Sequence, residues 1–181
     1  MNVLAMNSGS SSLKFKVVEF DESADAAGGQ QPSIRYEGSV EEIGPAARLL
    51  LRRAGTTVLQ NKGAIAAHAE AVQWMMHILE ESSRQEGRTP CIEAIGHRVV
   101  HGGEQFHEPV RIDDDVVAAI DRLTELAPLH NPGCIAGIKG ARAVMGSRIP
   151  MVAVFDTGFH RSLPPQAATY AIDLDLAHKH G

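Results

Sequence analysis

The sequence predicts an α/β domain of layered strands and helices, on three observations. The chain opens with an apolar run, a short polar turn and an alternating run. Helical and strand periods then take turns, and a late, fully apolar run ends in a carboxylate. A length of 181 residues suits one such domain, given the usual range of about 100–200 residues. A hydrophobic fraction of 44% is ordinary for a buried core. No internal repeat breaks the order.

The opening elements are a buried strand, Val3-Leu4-Ala5-Met6, and a returning strand from Leu13 to Val17, with Asn7-Ser8-Gly9-Ser10-Ser11-Ser12 between them. Gly9 lets the backbone turn where a Cβ would clash, and lets amides approach an anion. The serines add hydroxyls, Lys14 a positive charge, and Asn7 a neutral oxygen toward a hydrated cation. Phosphate and magnesium together ask for groups of these types. An ordinary hairpin uses Asn, Gly and Ser as well, for conformational reasons alone.

Asp21–Ser33, acidic and Ala/Gly-rich with Gln30-Gln31-Pro32, reads as a mobile loop between strands. Ile34–Val40 reads as a strand, and Arg48–Gln60 carries a weaker pattern. Ala64–Glu81 places Ile65, Ala69, Val72, Met76 and Leu79 on one helical face. Ile92–Val100 is a strand that runs into His101-Gly102-Gly103. Asp113-Asp114-Asp115 opens a helix with the apolar face Val116/Val117, Ile120, Leu123 and Ala127. Acids at a helix start cap free amides and suit the dipole, so this triplet is read as capping and not as a metal site. Asn131-Pro132 begins another helix, with Asn131 as N-cap and Pro132 in the first turn. It carries Ile135, Ile138 and Ala141/Met145, and stops near Gly146. Pro150–Phe155 is a fully apolar strand with Asp156 at its carboxyl end. Pro164-Pro165 breaks the pattern, and Ala168–Leu176 reads as a final strand.

Composition excludes several classes. A net charge of −5 provides no basic field for nucleic acid or an anionic membrane, and 4% aromatics provide no stacking platform for bases. No apolar run reaches membrane-spanning length. Cys91 and Cys134 form no close-spaced redox or metal pair, which suits a reducing cytoplasm. The N-terminus enters a strand pattern directly, so no export signal is expected. None of the 9 histidines sits with Glu in the helical zinc arrangement, and His178-Lys179-His180 has no sequence partner, so no structural metal is expected.

Three positions carry candidate chemistry. Asp156 lies just beyond a strand's carboxyl end, where open α/β sheets place ligands; there it holds a metal, orients a nucleophile, or caps the next turn. Arg98 leaves a strand beside a paired-glycine turn, and its planar fork suits carboxylate or phosphate, although a surface arginine beside a loop has the same local sequence. His130, in Pro128-Leu129-His130-Asn131-Pro132, precedes a helix N-terminus, where it would donate to a phosphoryl group or serve the loop structurally.

Together these stretches resemble the acetate kinase family, within the group of acetate, propionate and butyrate kinases. Asn7–Lys14, Gly96–Gly103 with Glu104-Gln105-Phe106, Ala127–Pro132 and Val152–His160 occur in the family's order and approximate spacing. The resemblance implies an actin/hexokinase/Hsp70-like (ribonuclease H-like) N-terminal domain over residues 1–181, a mixed sheet opening with a β-hairpin and flanked by helices. It also implies in-line transfer of a phosphoryl group from ATP to acetate, giving ADP and acetyl phosphate with Mg²⁺ or Mn²⁺. Asn7 would help bind the metal, and Lys14, Ser10 and Ser12 would meet the ATP phosphates. Arg98 would bind the substrate carboxylate or the phosphoryl group, Val100 and Leu129 would form part of the acetate pocket, and His130 would border it. Asp156 would be the essential carboxylate, acting by positioning. Gly158 stands where Ala is usual.

Family members are roughly twice as long, and their following segment carries a Gly-Phe-His-Gly motif, a second arginine, the adenosine loops, a magnesium-linked glutamate and much of a homodimer interface. The expectation is therefore an N-terminal lobe without the nucleotide-binding and dimerisation lobe, with little turnover by itself. A propionate kinase lobe, or a non-catalytic phosphate-binding or association module, are the alternative readings.

Overall fold

Strands β1 (Asn2–Ser8) and β2 (Ser12–Glu19) pair antiparallel, with Asn7 opposite Lys14 and Met6 opposite Phe15. The computed structural model describes residues 1–20, 32–87 and 91–180, so Asp21–Gln31 of the expected loop lies outside the described residues. β3 (Ser33–Glu41) adds to β2, and β4 (Ala47–Arg53) and β5 (Thr56–Gly63) follow as a hairpin. The weak pattern over Arg48–Gln60 is therefore two strands. Its turn is Ala54-Gly55, both at positive φ (46° and 79°), the pair that matches strand twist in a tight hairpin. After helix α1 (His68–Gln85) come β6 (Ala94–Val99), the short β7 (Val110–Arg111), α2 (Asp114–Arg122), α3 (Asn131–Met145) and β8 (Met151–Phe155). Two short helices, α4 (Pro165–Ala168) and α5 (Leu174–His180), end the chain.

The eight strands among the described residues form one mixed sheet in the order β5-β4-β3-β2-β1-β6-β8-β7, with β6 parallel to both β1 and β8. Alternation along each strand divides the sheet into two faces. Leu4, Met6, Leu13, Phe15, Leu49, Leu51, Ile95, Val99 and Phe155 point to the covered face. They pack with Val72, Met75 and Leu79 of α1 and Ile135, Ile138 and Ala141 of α3 into one core. Each such side chain contributes about 1.5–3 kcal/mol by leaving water. Ala5, Asn7, Lys14, Lys16, Gly96 and Arg98 point the other way, into an open trough.

Three local expectations are corrected. The helix expected over Ala64–Glu81 starts at His68, because Ala67 stays extended while the Glu70 carboxylate accepts the Ala66 amide. Its inner face is Ala71, Val72, Met75, Ile78 and Leu79, so Ile65 lies before the helix and Ala69 and Met76 flank that face. Asn131 is not the N-cap of α3. His130 occupies that place, and Asn131 turns inward as the first helical residue with 0% exposure. Ala168–Leu176 forms no strand. Pro165 begins one helical turn, and Asp173 starts α5 by accepting the Leu176 amide at 3.0 Å. The acid triplet behaves as expected, with Asp113 Oδ1 accepting the Val116 amide at 2.8 Å to cap α2.

Candidate functional site

Register brings the site together. Asn7 on β1 lies beside Arg98 on β6, and Arg98 beside Val154 on β8, all on the open face. Asp156 is two residues past Val154, on the same side, where a short 3₁₀ turn (Asp156–His160) leaves the strand. From this row the Arg98 guanidinium reaches in two directions. Its Nε donates to both Asp156 oxygens at 2.9 and 3.0 Å, Nη2 to Asp156 Oδ2 at 2.5 Å, and Nη1 to Asn7 Oδ1 at 3.2 Å. The Asp156 hydrogen bond pushes Arg98 above the ordinary arginine range, against the opposing effect of burial. These contacts use three of the five guanidinium N–H groups, which leaves one on each terminal nitrogen for a ligand. Side-chain exposures of 48% for Arg98 and 40% for Asp156 make the pair worth only about 0–1 kcal/mol of stability, so its consequence is orientation.

Lys14 completes the row from β2, opposite Asn7, and makes no ion pair among the described residues. Beyond it the trough continues over Lys16, Glu37, Ser39 and Arg52, enclosing about 700 Å³. At the row's end is the turn Gly9–Ser12, closed by Gly9 N–H donating to Ser12 O at 2.8 Å. Among the described residues no hydrogen bond engages the Ser10 or Ser11 amide. α3 drives its first turns against this loop. A Cβ on Gly133 would lie 2.5 Å from Gly9 C, and one on Gly137 would lie 2.0 Å from Ser8 Oγ.

The loop after β6 is tied to the same end. Asn131 Oδ1 accepts the His101 amide and Asn131 Nδ2 donates to the His101 carbonyl, each at 3.2 Å. Gly102 N–H donates to Thr157 Oγ1 at 3.1 Å, and Gly103 N–H to His101 Nδ1 at 3.0 Å. Gly102 leaves no room for a side chain, since its Cβ would meet Phe106 O at 2.7 Å. This stitching sets Val100–Gly103 beside Leu129–Asn131. Val100 is half-buried, while Leu129 (78% exposed) and His130 stand in solvent. No hydrogen bond joins the His130 side chain to Arg98 or Asp156 among the described residues. The structure thus gathers Asn7, Arg98 and Asp156 by direct contact, sets Lys14 beside Asn7, sets Ser10 and Ser12 in the adjoining turn, and leaves Val100, Leu129 and His130 on a neighbouring loop pair.

Asn131 and Thr157 escaped the sequence reading. Asn131 before Pro132 looked like a cap, and only the fold shows its amide facing His101. As for metal, no group of three or more His, Cys, Asp or Glu is assembled among the described residues. Asn7 and Asp156 instead offer two oxygens on one rim, bridged by Arg98. Magnesium takes few protein oxygens and fills its shell with water and phosphate, so this sparse donor set fits a phosphate-borne Mg²⁺.

The family profile described as the Acetokinase family matches residues 2–181. The chain belongs to the acetokinase family. An acetate kinase of Clavibacter michiganensis subsp. michiganensis is 43% identical over 178 residues, which cover 98% of this chain and 42% of that protein. Among solved structures, the acetate kinase of Porphyromonas gingivalis superposes with a TM-score of 0.82 at 33% identity, over 99% of this chain and 43% of that one. A propionate kinase from Francisella tularensis subsp. tularensis gives 0.79 at 33% identity, over 99% and 43%. The fold is the actin/hexokinase-like α/β type expected for acetokinases, and the chain spans less than half the length of these relatives. Among the described residues, no helix is long and apolar enough to cross a membrane.

Proposed function

We infer that this chain supplies the N-terminal lobe of a kinase that transfers a phosphoryl group from ATP to acetate. The observation that carries the reading is the Asn7–Arg98–Asp156 cluster on the open face, next to a serine turn whose Ser10 and Ser11 amides are unengaged. An acetate oxygen attacks the γ-phosphorus in line, the bond from that phosphorus to the β–γ bridging oxygen breaks, and ADP leaves with the bond's electrons. The nucleophile is already an anion, so no general base is needed and the protein's work is positioning and charge dispersal.

In this scheme the two spare N–H groups of Arg98 hold the carboxylate or the equatorial phosphoryl oxygens, and Asp156 fixes that fork in place. Lys14 and the amides of Ser10 and Ser11 receive the ATP phosphates, with the Ser10 and Ser12 hydroxyls beside them. Asn7 and Asp156 would hold Mg²⁺ (or Mn²⁺), which when bound neutralises charge on the phosphate oxygens. Val100 and Leu129 line the methyl end of the acetate site, and His130 borders it. A propionate kinase of the same fold is the near alternative, since one methylene is worth only about 1–3 kcal/mol in such a site. The additional length of the relatives would supply the opposite wall of the cleft, the adenosine contacts and the homodimer surface. A cytoplasmic setting fits ATP as phosphoryl donor.

Two measurements on the 181-residue chain test the reading. Calorimetry is expected to show Mg-ATP binding that weakens about tenfold or more in Arg98→Ala, as for loss of a charge-assisted hydrogen-bond pair. A hydroxamate-coupled assay is expected to show little acetyl phosphate from this lobe alone. No binding by the unaltered chain, or an undiminished Arg98→Ala, contradicts the assigned site; robust turnover contradicts the need for a second wall.

A further inference from the structure

The Gly9–Ser12 turn has an unusual hydrogen-bond balance. Its carbonyls are engaged from several directions: Ser8 O accepts from Cys134 Sγ at 3.6 Å, Ser11 O from the Ile43 amide at 2.9 Å, and Ser12 O from the Gly9 amide at 2.8 Å. The Gly9 carbonyl, at the tip, meets His68 Nε2 at 2.7 Å. Because a carbonyl only accepts, the imidazole carries its proton on Nε2 and donates. The Gly9, Ser11 and Ser12 carbonyls are thus occupied, while the donors of Ser10 and Ser11 are left for an external partner. An anion is repelled by carbonyl lone pairs and drawn to free amides, so the direction of the Gly9 peptide decides whether the turn attracts phosphate or resists it.

His68 is the first residue of α1, half-buried and far from the turn in sequence. From the other side α3 comes so near that a Cβ on Gly133 would lie 2.8 Å from both Gly9 O and Ser10 N. α3 therefore limits how far the Gly9 peptide can move, and the His68 donor selects which way it faces. We propose that His68 is a positioning residue for the phosphate turn, holding the Gly9 carbonyl so that the Ser10 and Ser11 amides face the anion. The inference rests on the phosphate-binding reading of that turn, and extends it to a residue with no place in the reacting cluster.

The test compares His68→Met, which keeps volume and removes the donor, with His68→Gln, whose amide restores a donor at similar reach. Amide signals and hydrogen exchange of Gly9–Ser12 are followed in the full chain, together with calorimetry using Mg-ADP and inorganic phosphate. In His68→Met the Ser10 and Ser11 amides are expected to shift and exchange faster, while α1 and α3 stay protected. Mg-ADP affinity is expected to fall about tenfold, the effect of one lost hydrogen bond at a charged site, and to return in His68→Gln. Turn amides in His68→Met that match the unaltered protein overturn the proposal whatever the ligand data show. If the unaltered chain binds neither probe yet His68→Met still loosens the turn, the phosphate reading falls and the role of His68 in setting the turn stands.

Discussion

Arg98 and Asp156 are too exposed for their ion pair to matter to folding, while His97, the residue before Arg98, shows the opposite regime. It faces the covered side of β6 at 2% exposure, and its Nε2 has no partner among the described residues. Burial first, and the charge of Arg142 second, lower the imidazole from 6.5 to about 4. Between those values the unfolded chain binds a proton that the folded chain refuses, so stability rises with pH across this window. The contribution is complete above about pH 6.5 and is lost as pH falls toward 4, on the order of 3 kcal/mol. Urea unfolding at pH 7 and pH 4.5 is expected to show this loss, and His97→Phe to flatten it. An unchanged slope in the variant would point elsewhere. Glu86, lowered from 4.5 to about 2 by hydrogen bonds from Tyr36 and Arg53, would act only further into acid.

Among the elements, α3 does most to shape the site, and it does so through what it lacks. Gly133 and Gly137 face the β1–β2 turn and Ser8 at distances where any Cβ would overlap, and Gly140 faces the start of α1 with a Cβ held to a tight 3.0 Å. Gly137→Ala is expected to destabilise by about 1–3 kcal/mol, because strand β1 or the helix must shift to admit the methyl group. Gly96→Ala, whose Cβ would meet nothing within 4 Å, is the control, and thermal unfolding of the two variants should separate clearly. Equal melting temperatures would mean that α3 yields without cost. The helix itself was legible from its apolar period and from Gly146, while the glycine face was not, because close approach is a property of two segments far apart in sequence. The tail departs from its strand-like pattern for a related reason. Tyr170, Ile172, Leu174 and Leu176 alternate like a strand, but all are exposed, and the Asp173 cap turns the chain into helix. Alternation forms a strand only where a neighbouring edge accepts it.

Across the whole molecule, one side of the sheet is covered by helices and the other carries the trough and the cluster. The β1–β2 hairpin, the strand before Asp156 and the glycine turn after Arg98 could each be read from local patterns, and their order carried the family resemblance. What the sequence could not supply was register: Asn7 beside Arg98 beside Val154 is a fact of three strands, and it is what allows one guanidinium to touch both Asn7 and Asp156. We propose that the serine turn and the Arg98 cluster form one anion site. A crystal structure of the chain with Mg-ADP and acetyl phosphate tests it most directly. Phosphate oxygens are expected within hydrogen-bond distance of the Ser10 and Ser11 amides and of the free Arg98 nitrogens, with the Asp156 contact kept. Phosphates bound away from that turn, or an Arg98 fork left without a ligand, would contradict it.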